Sequence, residues 1–403
     1  MQTRFGNAWA LVILIALLTQ KYALSLEFNA RGSFKIVMFT DLHQGEGDEK
    51  DSQNSLLQRN VIDRENPDLI IYLGDMVSGW IGGSKSNWFH DRWKELTEYA
   101  NSKNIPYAFT LGNHDDEADL SRLEIVKLAS ELGGNLSLSK VGPEGVRGVT
   151  NYWININKHG SEEISARLWF FDSMNYGCAD NEASWGCIGY DGVEWLKEES
   201  SNIPSVPMSL AFVHIPLPDL RLAYGDPFVV GTRQEDSACP TVNTGFLKQA
   251  ADSNIGAIFS GHDHQNDFLG NVHFPNFGNG SNVQSGYGSP TEATILMGYG
   301  RKSGFGSYGP GKLTNGARVL ELWDASNAVA QTRSFYISSP QKFLYSPLAL
   351  MDTWITNYQG IREFQRTPAI RARVQEACSS SIQSHVQPIL LLILISVLSI
   401  CSS

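Results

Sequence analysis

The sequence predicts an α/β fold laid out as one layered domain. Two observations carry that prediction. Short apolar runs rich in β-formers alternate with amphipathic helical stretches, and polar groups recur at the carboxyl ends of the apolar runs. The first run, "FKIVMFT" at 34–40, reads as a strand and is followed by a helix over Ser52 to Glu65. "DLIIYLG" and "PYAFTLG" are the next two strands, with helices over Asn87 to Ser102 and Asp119 to Leu132. Strands joined by helical crossovers imply parallel pairing with right-handed connections.

Beyond Gly133 the pattern turns β-rich, in "YWININ" and "ARLWFFDS". A helix around Asp191 to Glu199 follows. The strands "MSLAFVH" and "IGAIFSG" then flank a helix near Gly245 to Ala251. "TILMGYG", "ARVLELW" and "RSFYIS" are expected to close the domain as antiparallel strands.

The ends have a different composition. Met1 to Arg4 carries a positive charge ahead of the apolar "AWALVILIALLT", and Ala23-Leu24-Ser25 supplies a small-x-small cleavage site. That run is shorter than the roughly 20 residues a spanning helix needs, so residues 1–25 are read as a signal peptide. At the other end, small residues from Cys378 to Ser381, a polar spacer and "PILLLILISVLSICSS" form the three parts of a GPI-anchor signal over 379–403. A tail anchor or an ordinary apolar terminus is the alternative. The main domain is then 26–338, with a closing element and stalk over 339–378.

The 403 residues suffice for a full core. The balance is acidic, 31 basic against 42 acidic residues, and no basic run exceeds a pair, which argues against nucleic-acid binding. Secretion would permit disulfides, and Cys178 and Cys187 bracket a short loop that one could close. Cys239 and Cys378 remain as a pair by elimination. Asn135-Leu-Ser and Asn279-Gly-Ser are glycosylation sequons. A monomer at the outer face of a membrane is expected.

The strand ends hold the chemistry. The first strand runs into Asp41-Leu-His43, the second into Gly74-Asp75, and the third into Gly112-Asn113-His114-Asp115. "MSLAFV" ends at His214, and "IGAIFS" at Gly261-His262-Asp-His264. Five of the chain's nine histidines lie there, on the edge where open α/β sheets bind ligands. An H-x-H pair alone is often only a polar turn. Oxygen and imidazole donors without thiolate suit Mn, Fe or Zn, and seven such groups are right for two ions sharing a carboxylate.

D-x-H, G-D, G-N-H-D, a lone V-H and G-H-x-H, in that order, resemble the calcineurin-like metallophosphoesterases from about Lys35 to Trp323. "VHIPLPD", "QEDSACPTVNTGF" and "GHDHQNDF" are similar to the small single-domain purple acid phosphatases. The resemblance implies a four-layer α/β/β/α sandwich with mixed sheets. It implies two divalent or trivalent metal ions and a small phosphorylated substrate. One metal would be held by Asp41, His43 and His264, the other by Asn113, His214 and His262, with Asp75 bridging and His114 as the acid catalyst. Purple enzymes carry a tyrosine at the end of G-D-x-x-Y. Here "GDMVS" has Ser78 there, so a colourless site is expected.

The reaction implied is phosphate-ester hydrolysis of the phosphomonoesterase kind. Phosphodiester cleavage, a catalytically silent binding role and metal storage are the alternatives. Asp115 is read either as orienting His114 or as capping the following helix. Arg301, in the Gly-rich Met297 to Lys312, is placed near a substrate phosphate or in a plain hairpin connection. Asn266 and Asp267 are read as supporting groups or turn formers. Trp80, Trp88 and Trp93 are either rim or core residues.

Overall fold

A computed structural model describes residues 25–227, 229–275, 292–324 and 351–363. Most of the leader, the Asn279 sequon, "RSFYIS", Cys378 and the expected anchor signal lie outside the described residues. Two mixed sheets form the body. The first has seven strands in the order β1-β5-β6-β9-β10-β12-β11. These are Leu26–Glu27, Tyr152–Asn157, Ile164–Phe171, Met208–Val213, Ala257–Ser260, Glu292–Tyr299 and Leu269–Pro275. The second has six, in the order β15-β14-β13-β2-β3-β4. They are Arg362–Glu363, Met351–Asn357, Gly316–Trp323, Ser33–Phe39, Leu69–Leu73 and Tyr107–Thr110.

Period-two alternation decides the layering. Ile36, Met38, Ile71 and Leu320 of one sheet meet Ile154, Phe170, Phe212 and Phe259 of the other in a core between the sheets. The alternate residues Val37, Phe39, Ile70 and Tyr72 face outward onto Val61, Trp93, Leu96 and Ile125 of the helices Asp48–Glu65, Trp88–Ser102 and Arg122–Gly133. On the far side Trp169, Phe171, Val213 and Ile258 pack on Leu196 and Leu247 of the helices Tyr190–Asn202 and Phe246–Asp252. Three apolar clusters between four layers give the α/β/β/α sandwich. Strands covered on both faces need no polar alternation, which is why "LIIYL" and "MSLAFV" are continuous apolar runs.

Of the expected closing strands, "ARVLELW" (β13) is antiparallel to both neighbours, while "TILMGYG" (β12) differs in direction at one edge. β12 pairs antiparallel with β11 but parallel with β10, with Ile258 opposite Met297. Residues 351–363 also belong to the second sheet, because the whole of β14 pairs with β13, from Gly316 to Leu322. The domain therefore runs past residue 338, at least to Glu363. That edge is fastened by Glu65, fully buried at the end of its helix. Its carboxylate accepts from Thr356 Oγ1 at 2.7 Å and from Arg362 Nη2 at 2.8 Å. In a separate ribbon, β7 (Tyr176–Cys178) with β8 (Asn181–Trp185), the disulfide Cys178–Cys187 ties the turn end of β7 to the chain just after β8. Cys239 is buried and has no disulfide partner among the described residues.

Candidate metal centre

β2, β3, β4, β9 and β10 all end at one edge, and the turns leaving them converge. Asp41, His43, Asp75 and His262 take left-handed backbone angles, with φ of 53°, 51°, 49° and 74°. Such residues cost on the order of 1–3 kcal/mol each, so the surrounding hydrogen bonds must impose the conformation. They do: His43 N–H donates to Asp75 O at 3.0 Å, and His262 N–H donates to Asp41 Oδ1 at 3.2 Å. The glycines beside them are spacers. A methyl on Gly112 would sit 2.2 Å from both the backbone nitrogen and Oδ1 of Asp75, and one on Gly261 would sit 2.1 Å from Thr40 Oγ1.

The side chains form two adjoining groups. Donor atoms of Asp41, His43 and His264 lie within 4.8 Å of one another, and so do those of Asp75, His214 and His262. Asp75 Oδ2 is 3.2 Å from His214 Nε2 and 3.7 Å from His43 Nε2, so its carboxylate stands between the groups. Asn113 Oδ1 joins the second at 3.2 Å from His214 Nε2.

The outer nitrogens fix the rings. His214 Nδ1 lies 2.8 Å from Leu73 O, and His264 Nδ1 lies 2.9 Å from Tyr308 O. His43 Nδ1 is 3.0 Å from Ser78 Oγ, whose own proton goes to Glu46 Oε1 at 2.6 Å. The serine therefore accepts, His43 carries its proton on Nδ1, and Nε2 presents a lone pair inward. All three rings present Nε2 to the centre, the geometry of imidazoles built to ligate.

Charge follows the geometry. Burial alone would raise Asp41 and Asp75, yet the neighbouring imidazoles hold both well below the usual carboxylate range. Burial would lower His214, but Asp75 and Asp41 outweigh it and bring it up to about 9. Burial and the nearby His214 push His262 down to about 3. Several buried carboxylates and imidazoles around one point, without thiolate, match the donor chemistry of Mn, Fe or Zn.

Residues 34–266 match the sequence model of the Calcineurin-like phosphoesterase family, more than half of the chain. The chain belongs to that family. Its relatives include the "Probable inactive purple acid phosphatase 28" of Arabidopsis thaliana, 31% identical over 284 residues, 62% of this chain and 70% of that one. The "Probable inactive purple acid phosphatase 14" of the same plant is 30% identical over 289 residues, again 62% and 70%. "Phosphatase DCR2" of Saccharomyces cerevisiae is 28% identical over 280 residues, 60% of this chain and 46% of that protein.

The other residues of this calcineurin-like centre divide between pocket and frame. His114 lines the pocket, with the second-motif Asp75 Oδ1 accepting from its backbone N–H at 2.9 Å. Its ring partner is Glu117, at 2.6 Å from Nδ1. Asp115 does neither thing expected of it. It is fully buried and accepts from the N–H groups of Gly112, Asp75, Met76 and Val77, fastening the second and third motifs together. Burial, with Asp75 nearby, pushes it up to about 7.

Arg301 is likewise a frame residue. Its guanidinium is buried against Asp267, Thr314 and Glu363, so it is committed away from the pocket. Asp267 is its partner, while Asn266 ties the backbone of Gln234. Trp93 is core, whereas Trp80 is exposed beside His114.

Sequence reasoning missed Glu117, Glu46 and Arg122, whose guanidinium pairs with Asp172 and donates to Gly112 O at 3.0 Å. Only the i,i+3 spacing of His114 and Glu117 was a signal available in the sequence.

Proposed function

We propose that the chain hydrolyses phosphate monoesters at this centre, as an acid-phosphatase-like enzyme. The observation that carries the reading is the three imidazoles with outer nitrogens engaged and Nε2 atoms turned to a point shared with Asp41 and Asp75. Asp41, His43 and His264 would hold one cation, Asn113, His214 and His262 a second, and Asp75 would touch both. Cations held there would supply positive charge against the phosphoryl oxygens and acidify bound water.

The chain's own residues do the rest. The buried carboxylates Asp41 and Asp75 would be neutralised by the cations they engage and would not repel the ester. With Nδ1 of His114 committed to Glu117, Nε2 is the nitrogen able to carry a proton to the departing alkoxide. Ser78 in place of a phenolate supports a colourless centre of Mn, Zn or Fe(II). We further propose a secreted, lipid-anchored protein. The Cys178–Cys187 disulfide and the exposed Asn135 sequon are consistent with that route.

The test is elemental analysis of the purified protein paired with p-nitrophenyl phosphate turnover. About two metals per chain and chelator-sensitive turnover support the reading. Asp75→Asn should lose both metal and turnover, and His114→Ala should keep the metal while losing most turnover. Bound metal without hydrolysis of any monoester or diester would favour the silent reading, which the names of the two plant relatives also suggest.

A further inference from the structure

The pocket above the centre, a cavity of about 150 Å³, has walls of an unusual kind for a phosphate site. Besides the centre's own residues it is lined by Trp185, Tyr308, Asp263, Ser307 and Ala238, with no Lys or Arg among the described residues. The two basic residues that follow β12 are spent elsewhere. Arg301 is paired with Asp267, and Lys302 donates to the backbone oxygen of Asp41 at 3.0 Å. Carboxylates stand at the rim instead. Glu117 holds His114, and Glu235 accepts from the Tyr308 hydroxyl at 3.2 Å.

Aromatic rings take the places that basic residues do not fill. Trp185 meets His262 at 4.6 Å between ring centroids, and Tyr308 lies flat on His264 at 3.9 Å. Trp80 packs edge-on against His114 at 4.4 Å. Tyr308 is 46% exposed and Trp80 42%. Trp185 is backed by Tyr176, stacked at 5.1 Å and 18° on the ribbon that the disulfide Cys178–Cys187 ties down. Tyr176 is itself 57% exposed, so the ribbon puts up a two-ring platform beside the pocket that the core does not require.

We propose that this aromatic wall is a leaving-group subsite, and that the preferred substrates are monoesters whose leaving group carries an uncharged, planar aromatic ring. The inference rests on the phosphoesterase reading for the position of the phosphoryl group. A ring can stack on Trp185 and Tyr308, worth about 0.5–1.5 kcal/mol beyond the area it buries. A leaving group with further negative charge would face only carboxylates. Flat, backed platforms suit a planar ring better than the converging faces that surround a quaternary ammonium.

The experiment measures binding as well as turnover, using protein supplemented with Mn(II). Benzylphosphonate and cyclohexylmethylphosphonate are non-hydrolysable and alike in shape, and only one is aromatic. Titration calorimetry should show the benzyl compound bound about 3- to 10-fold more tightly, a ratio that Trp185→Leu brings close to one at unchanged metal content. Trp80→Leu, at an exposed position, should lower the ratio less and serves if the first variant fails to fold. Benzyl phosphate should show the same advantage in KM over cyclohexylmethyl phosphate. Equal binding of the two phosphonates, or tighter binding of a trimethylammonioethyl phosphonate, overturns the proposal. A clear binding preference without turnover of any ester would sink the phosphoesterase reading and leave the subsite standing.

Discussion

Ser78 Oγ lies 3.0 Å from His43 Nδ1 and donates its own hydrogen bond to Glu46 Oε1. The hydroxyl stands at the motif position where purple enzymes carry a tyrosinate, and here it orients the candidate ligand His43. Loss of such a supporting group typically costs 10–100-fold in metal affinity. Ser78→Ala should therefore weaken one of two metal equivalents by roughly tenfold in equilibrium dialysis and leave the other nearly unchanged. The iron-loaded wild type should lack a phenolate charge-transfer band in its visible spectrum.

Glu117 should matter through His114 alone. Glu117→Gln leaves metal content intact, because the glutamate touches no candidate ligand side chain in the structure. Turnover of an alkyl phosphate should fall by on the order of tenfold, since its alkoxide needs a proton. p-Nitrophenolate leaves unaided, so its ester should be far less affected. Equal losses for the two esters would mean that Glu117 is only a structural residue.

The metal-free centre should respond to pH with a definite sign. His214 is raised from 6.5 to about 9 by Asp75 and Asp41 against burial. A raised imidazole contributes stability that is complete below its unfolded value and is lost as pH climbs through its folded value. Chelated protein should thus lose about 2 kcal/mol between pH 6 and 8 from this group. Lys302, lowered to about 8 by burial, works in the opposite direction above that pH. A cation held by His214 would take the place of its proton, so manganese-supplemented protein should show a flatter profile in thermal melts at the same pH values.

Glu65 offers a test remote from the centre. Its hydrogen-bond partners Arg362, Thr356 and Trp354 hold its carboxyl below the ordinary range in spite of the burial that opposes them. Glu65→Gln leaves Arg362 without its charge partner and should destabilise the fold by about 2–4 kcal/mol in urea, with metal binding preserved. For the wild type, the stability from this group is present above the unfolded value near 4.3 and is lost on acidification.

The convergence of the candidate ligands was legible in the sequence because each follows the apolar run of a buried strand. Such strands are buried on both faces, so the first polar residues after them fall on one edge. The frame was less legible because it is built by residues far apart in sequence. Asp119 illustrates this. It falls at the expected start of a helix, yet its carboxylate accepts from Trp88 and Phe89 and caps an earlier one. The helix expected there begins at Arg122, behind a capping box of Ser121 and Glu124. Similarly, the helix expected from Ser52 starts at Asp48, because Asp48, Glu49 and Asp51 favour its positive end. Arg301 misled because a Gly-rich stretch reads as a loop, while Asp267, which holds its side chain inward, is 34 residues away.

The centre draws its donors from both sheets. Asp41, Asp75 and Asn113 follow strands of the six-stranded sheet, and His214, His262 and His264 follow strands of the seven-stranded one. A pair of cations held there would act as a rivet through the seam between the two layers. Sliding one sheet over the other would then pull ligands away from metal, so the stiffness of the sandwich and the occupancy of its site would be one mechanical property. Amide exchange along the facing strands β3 and β9 should therefore quicken on chelation, well away from any substrate.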